Sequence, residues 1–173
     1  MKRLLLSLWS IETQVRGFIA AARWCHRRIP LLGKVVALLL DRLLLILYGV
    51  DATSVTIDVR RLSISHPSGV LLGGNGLVSP GRVAIMSGVK LVGRSPSDAE
   101  YVRRQRERRV FVFGDNVVIG VNSVVVGPVD ICDNVIIGAM SLVNKSILEP
   151  GIYVGTPVRK VGDTVSDEWV DHL

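Results

Sequence analysis

The chain has few aromatic residues, histidines and cysteines, and each shortage excludes a class of protein. Only 5% of its 173 residues are aromatic, which is too few for the stacking platforms that bind single-stranded nucleic acid. Its two cysteines and three histidines form neither a CxxC pair nor a histidine cluster, so neither a zinc site nor a disulfide framework is predicted. We therefore expect reduced thiols, no bound metal and no nucleic-acid partner.

The net positive charge is confined to the first 49 residues. Residues 1–49 hold eight basic and two acidic residues, whereas residues 50–173 hold thirteen of each. Residues 31–50 have about the length of a bilayer span, but Lys34, Asp41 and Arg42 interrupt them. Residues 1–49 thus predict an apolar and basic helical arm, which either packs on partner helices or lies at a membrane surface. The expected location is the cytoplasm, with or without peripheral contact with the inner membrane.

A six-residue repeat occupies the second half of the chain. Large apolar residues recur at every sixth position, and a small or branched residue follows each of them four positions later. The large residues are Phe113, Ile119, Val125, Ile131, Ile137 and Val143. Neither a helix nor an alternating strand has this period, which is typical of a parallel β-solenoid with three strands in each triangular coil. The predicted fold is therefore mainly β after the helical arm.

The repeat is interrupted twice before it becomes regular. One residue is inserted near Ser79-Pro80-Gly81, and the sixteen residues 94–109, which include six arginines, contain no repeat. We expect residues 94–109 to form a loop thrown out from one corner, either solvated or carrying substrate ligands such as Arg94 and Arg109. The predicted organisation is a helical arm at 1–49, a solenoid at 50–162 and an acidic tail at 163–173.

Two segments resemble hexapeptide-repeat acyltransferases of the serine acetyltransferase type and their relatives that decorate exopolysaccharide, capsule or colanic acid. They are EPGIYVGTPVRKVG at residues 149–162 and His66-Pro67-Ser68-Gly69, and the resemblance extends over roughly residues 49–162. It implies a left-handed parallel β-helix, acetyl-CoA as co-substrate, and a homotrimer with its pockets between neighbouring subunits.

The resemblance also implies roles for single residues. His66 matches the position of the catalytic histidine, which as a general base removes the proton of the attacking hydroxyl. Asp51 matches a family carboxylate that would orient the imidazole, and Asp58 is an alternative. Both main residues also have a structural interpretation, His66 as a corner residue and Asp51 as the start of the first coil.

The donor site is predicted from the same comparison. Asn122, Gly138 and Ala139 would lie beside the pantetheine arm of CoA. Thr156 and Pro157 would form the turn that brings Arg159 and Lys160 to the nucleotide phosphates. The alternative is ordinary solenoid surface.

Two positions depart from the serine acetyltransferase pattern. Ser65 stands where that group has an aspartate, and Val110 stands where it has a second histidine. Together with the arginines of residues 94–109, these departures favour a different, anionic acceptor. The prediction is an acetyl-CoA-dependent O-acetyltransferase that acts on a free or lipid-linked saccharide in surface-polysaccharide biosynthesis. The alternatives are a serine O-acetyltransferase and a non-catalytic scaffold.

Overall fold

The computed structural model describes residues 10–163, and it begins with two helices. Helix α1, Ile11–Arg28, starts at Ser10, whose hydroxyl accepts a hydrogen bond from the Thr13 amide at 3.2 Å. Helix α2, Leu32–Tyr48, ends at Gly49, which adopts a left-handed backbone with φ of 68°. A third helix, α3, spans Ala99–Arg106. Within residues 10–163, no helix has both the length and the hydropathy that a bilayer crossing requires.

The remaining elements are short strands that stack into coils. All strand pairs are parallel except the last, between β12 and β13. The strands are β1 Val50–Ala52, β2 Ile57–Ser65, β3 Val70–Gly73, β4 Leu77–Met86, β5 Lys90–Gly93, β6 Phe111–Phe113, β7 Val117–Ile119, β8 Val124–Gly127, β9 Val129–Ile131, β10 Val135–Ile137, β11 Leu142–Val143, β12 Gly151–Val154 and β13 Arg159–Gly162. A 3-10 turn at Ser54–Thr56 lies between β1 and β2.

Strand register confirms the predicted repeat. Ile119 pairs with Ile137, Val125 with Val143 and Phe113 with Ile131, so each residue pairs with one that lies three hexapeptides further along the chain. All six of these side chains are buried in the coil interior. The prediction of a mainly β chain needs a correction, however, because residues 10–163 contain three helices, so the fold is mixed α/β and strands predominate only modestly.

The two interruptions have different structures. Val59 pairs with Ser79 and Arg61 with Arg82, so β4 carries one extra residue at the predicted place. The second interruption, residues 94–109, is not a loop thrown out from a corner. It contains α3, whose Tyr101 hydroxyl donates to Asn75 Oδ1 at 2.9 Å.

Arg104 anchors α3 to the solenoid. Its side chain is buried, and its guanidinium donates to both carboxylate oxygens of Asp130 at 2.5 and 3.2 Å. Its Nε donates to the carbonyl of Arg109 at 2.9 Å. Residues 94–109, which the sequence predicts to be a loop, therefore contain a helix that packs against the solenoid. The predicted acidic tail lies outside the described residues from residue 164 onward.

Candidate active site

One corner of the solenoid is built from stacked turns whose backbone is left-handed. The residues that share this conformation, with φ between 58° and 73°, are Gly49, Gly69, Gly88, Asn122 and Met140. Backbone amides link successive turns, as when Gly88 N donates to Ser68 O and Asn122 N donates to Ser87 O, both at 2.9 Å. A Cβ at Gly88 would lie 1.9 Å from Asn122 Oδ1. A side chain at this position would have to displace the Asn122 side chain and adopt a left-handed backbone with φ of 70°.

His66 lies at the start of this corner, in a crevice of about 490 Å³. Its side chain is exposed. The crevice has an apolar wall from the helices and a polar floor from the turns, and its lining residues are Ile11, Leu47, Tyr48, Gly49, His66, Pro67, Ser68 and Ser87. The Ser87 hydroxyl donates to the Ser68 carbonyl at 3.1 Å. An acceptor in this crevice would meet one imidazole and two serine side chains.

Neither of the two candidate orienting carboxylates lines the crevice. Asp51 is in β1, where it pairs with Leu71, and it is not among the residues that line the crevice. Burial raises the pKa of Asp41, and the negative charge of Asp51 raises it slightly further. Asp51 therefore lies near the Asp41 carboxyl group. Asp58 accepts a hydrogen bond from Arg23 at 2.5 Å. The role of Asp51 beside His66 stays a prediction.

The predicted pantetheine residues continue the corner that begins at His66. Asn122 is one turn beyond Ser87, to which its amide bonds. Gly138 and Ala139 lie one coil further, next to Met140, whose side chain is 68% exposed. His66, Asn122 and Ala139 therefore mark one ridge of the solenoid, along which backbone amides and small side chains offer an extended surface.

The predicted phosphate ligands lie at the end of the solenoid. Thr156, Pro157, Arg159 and Lys160 are all exposed, and the last two lie in β13, antiparallel to β12. The amino group of Lys160 is 2.7 Å from Asp163 and 3.6 Å from Glu149. The hydrogen bond with Asp163 raises the pKa of Lys160. Lys160 is therefore already paired, which leaves Arg159 as the better candidate for a phosphate.

The two predicted acceptor ligands do not lie at the crevice. Arg94 donates to the carbonyl of Asn144 at 2.5 Å. Arg109 lines a separate cleft that it shares with Arg27 and Asp58. The structure does not bring either arginine together with His66.

Sequence reasoning missed the serines and the helical wall of the crevice. Ser68-Gly69 and Ser87-Gly88 are the same dipeptide in successive coils, and this repetition was a usable signal. Tyr48 and Leu47 carried no such signal, because a helix sequence does not show where the helix lies against the solenoid.

Comparisons with known proteins agree with this architecture. Residues 112–145 match the family of bacterial transferase hexapeptide repeats (six repeats). Residues 112–145 therefore contain the six-residue repeat of that family. A serine acetyltransferase of Mycobacterium tuberculosis is 33% identical over 147 residues, which cover 83% of this chain and 60% of the relative. The chain thus spans about three fifths of that relative's length.

Solved structures show the same fold. A serine acetyltransferase of Brucella abortus in complex with coenzyme A has a TM-score of 0.72 at 21% identity, and the match covers 88% of this chain and 56% of the other. Soybean serine acetyltransferase complexed with serine also has a TM-score of 0.72 at 21% identity, with 90% and 59% covered.

These findings overturn the predicted acceptor. The hexapeptide-repeat chain is similar to serine acetyltransferases in sequence and in fold, so the prediction of a saccharide acceptor in polysaccharide biosynthesis is wrong. The serine alternative is better supported. Ser65 and Val110 therefore do not exclude a serine acceptor.

Proposed function

We propose that this chain is an acetyl-CoA-dependent serine O-acetyltransferase whose general base is His66. The support is the similarity to serine acetyltransferases together with the crevice that holds His66 at the start of the ridge through Asn122. In the same proposal the solenoid is left-handed, as the resemblance implies, and three copies associate. Light scattering would then give three times the mass of 18.8 kDa.

The observation that carries the assignment is the position of His66, which is exposed and lines the crevice together with Ser68 and Ser87. The φ of His66 is 51°, a left-handed conformation that costs a non-glycine residue about 1–2 kcal/mol. Strain of this kind clusters at active sites, although Met140, with φ of 58°, shows it as well. At four of the five stacked turns the chain avoids much of this cost by placing glycine or asparagine there.

The proposed reaction is direct transfer. As the serine hydroxyl attacks the acetyl carbonyl, a C–O bond forms and the imidazole of His66 accepts the hydroxyl proton. The C–S bond of the thioester then breaks, and the proton passes from His66 to the leaving thiolate, which gives O-acetylserine and free CoA. Asn122 and the neighbouring backbone amides would bind the donor by hydrogen bonds.

The test is His66→Asn, because asparagine tolerates the left-handed region. We expect kcat/KM for serine, measured by thiol release from acetyl-CoA, to fall about 10²- to 10⁴-fold. The melting temperature should stay the same or rise, since the strain of a histidine is removed. The matched control is His26→Asn in α1, which should keep the wild-type rate.

Near-native acetyl transfer by His66→Asn would contradict the assignment. If the wild-type protein binds CoA in calorimetry but does not acetylate serine, serine is not the acceptor. Asp51→Asn is expected to lower kcat without changing the melting temperature, and unchanged kinetics would exclude it as the positioning residue.

A further inference from the structure

Helix α2 has a continuous apolar face that nothing in the described chain covers. Ten residues from position 31 to position 47 are exposed. Leu31 directly precedes the helix, and the others recur every three or four positions, so they lie on one side of it. Eight of the ten are large and apolar: Leu31, Leu32, Val35, Leu38, Leu39, Leu43, Ile46 and Leu47. We call these eight residues the leucine face. So large an apolar patch marks an interaction surface.

The charges on this side of α2 are all positive. Lys34 and Arg42 are the other two exposed residues. The single acidic residue of the helix, Asp41, is half-buried and turned toward Ser54, whose amide donates to both of its carboxylate oxygens at 3.2 and 3.3 Å. The side that carries the leucine face therefore presents apolar and cationic groups without a carboxylate.

This charge pattern disfavours a second copy of the helix as the partner. In an antiparallel pair that crosses at Leu38, Lys34 of each helix would face Arg42 of the other. In a parallel pair, each cation would face its own copy. Both arrangements place like charges together without a compensating acid, which is unfavourable at an interface.

An anionic lipid surface offers acyl chains for the apolar residues on this side of the helix and phosphates for its two cationic residues. We propose that α2 lies flat on an anionic membrane, with the leucine face in the acyl boundary and the side chains of Lys34 and Arg42 reaching the phosphates. The helix is about 25 Å long. Trp24 and Arg28 near the end of α1 are also exposed and add an aromatic and a basic group that suit such an interface.

Docking of this kind places the candidate active site at the membrane. Leu47 belongs to the leucine face and also lines the crevice of His66. The mouth of the crevice would therefore open close to the lipid surface. The inference does not depend on the proposed activity, and its test uses no catalytic readout.

The experiment is flotation of the full chain with two kinds of vesicle, one of phosphatidylcholine alone and one of phosphatidylcholine mixed equally with phosphatidylglycerol. We expect binding to the mixed vesicles that weakens with added salt. Leu38→Glu with Leu39→Glu should weaken it more than about ten-fold. Lys34→Gln with Arg42→Gln should weaken it about twenty-five-fold, at about five-fold for each cation.

The matched control is Leu148→Glu, because Leu148 is 75% exposed but lies on the solenoid. This variant should float as the wild type does, and melting curves would show that every variant is folded. Absence of flotation, or equal flotation of the Leu38→Glu, Leu39→Glu variant, would overturn the proposal. A fall in oligomer mass for that variant without vesicle binding would also overturn it and assign the face to a second copy.

Discussion

Gly120 offers the sharpest test of how closely the coils are stacked. It follows β7 directly, is buried, and its amide donates to Ile137 O of the next coil at 2.8 Å. A Cβ at this position would lie 2.6 Å from Ala139 N, 2.8 Å from Gly138 C and 2.8 Å from Ile137 O. All three are backbone atoms, which cannot rotate away as the end of a side chain can.

The expected cost of Gly120→Ala follows from these distances. Ordinary contact would require the two coils to separate by roughly 1 Å near Gly120, since non-bonded carbon contacts lie at about 3.5–4 Å. Overpacking costs about 1–3 kcal/mol, and a stretched backbone hydrogen bond adds about 1 kcal/mol. At about 2–4 °C for each kcal/mol in a chain of this size, we expect the melting temperature to fall by about 4–16 °C.

The assay is thermal unfolding followed by circular dichroism, with Gly17→Ala as the matched control. Gly17 is exposed inside α1, and a Cβ there would meet nothing within 4 Å. The control should be stabilised by about 0.5–1 kcal/mol, because alanine favours a helix over glycine. The two substitutions are chemically the same and should act in opposite directions. A Gly120→Ala protein that melts with the wild type would refute the tight spacing of the coils.

Two further predictions concern ion pairs. The Arg82 guanidinium, which donates to Asp115 at 3.0 and 3.1 Å, lowers the pKa of that carboxyl to about 2. Since the folded pKa is depressed, the stabilisation is present above the unfolded value of about 3.9 and is lost as the pH falls toward 2. Urea midpoints should therefore fall less in this pH range for Asp115→Asn than for the wild type, and equal losses would contradict the pairing. Arg104→Met should release α3 from Asp130 and hasten tryptic cleavage within residues 94–109, whereas unchanged resistance would show that Arg104 is not the anchor.

The coil core could be predicted from sequence because its geometry repeats. Each six-residue repeat contributes one strand with one inward side chain. The spacing of Phe113, Ile119 and Val125 therefore predicts which residues pair between coils. The small polar residues of the repeat also have a physical reason. Ser123 donates to Gly138 O at 2.9 Å and accepts from the Ser141 amide at 3.2 Å, so a buried hydroxyl links adjacent coils without an unsatisfied group.

The position of α3 could not be predicted in the same way. Six arginines in sixteen residues resemble a solvated segment, and only a partner carboxylate makes the burial of one of them favourable. Asp130, which supplies it, lies 26 positions away from Arg104 and belongs to no recognisable pattern with it. Only one part of the crevice around His66 could be predicted from the sequence. The repeat places the turns that form its floor, whereas its wall depends on where α2 packs.

The wrong acceptor shows why a charge count is a poor guide to a binding site. The sequence predicts that the arginines of residues 94–109 are either solvated or ligands for an anionic acceptor, whereas two of them stabilise the fold in the structure. Arg94 donates to a backbone carbonyl and Arg104 pairs with Asp130. A guanidinium engaged in this way is held by the fold, and moving it to a substrate would break an ion pair or a hydrogen bond. Residues 94–109 therefore stabilise the solenoid by contacts with several coils. The groups that would bind the acceptor are the serines and the imidazole of the crevice.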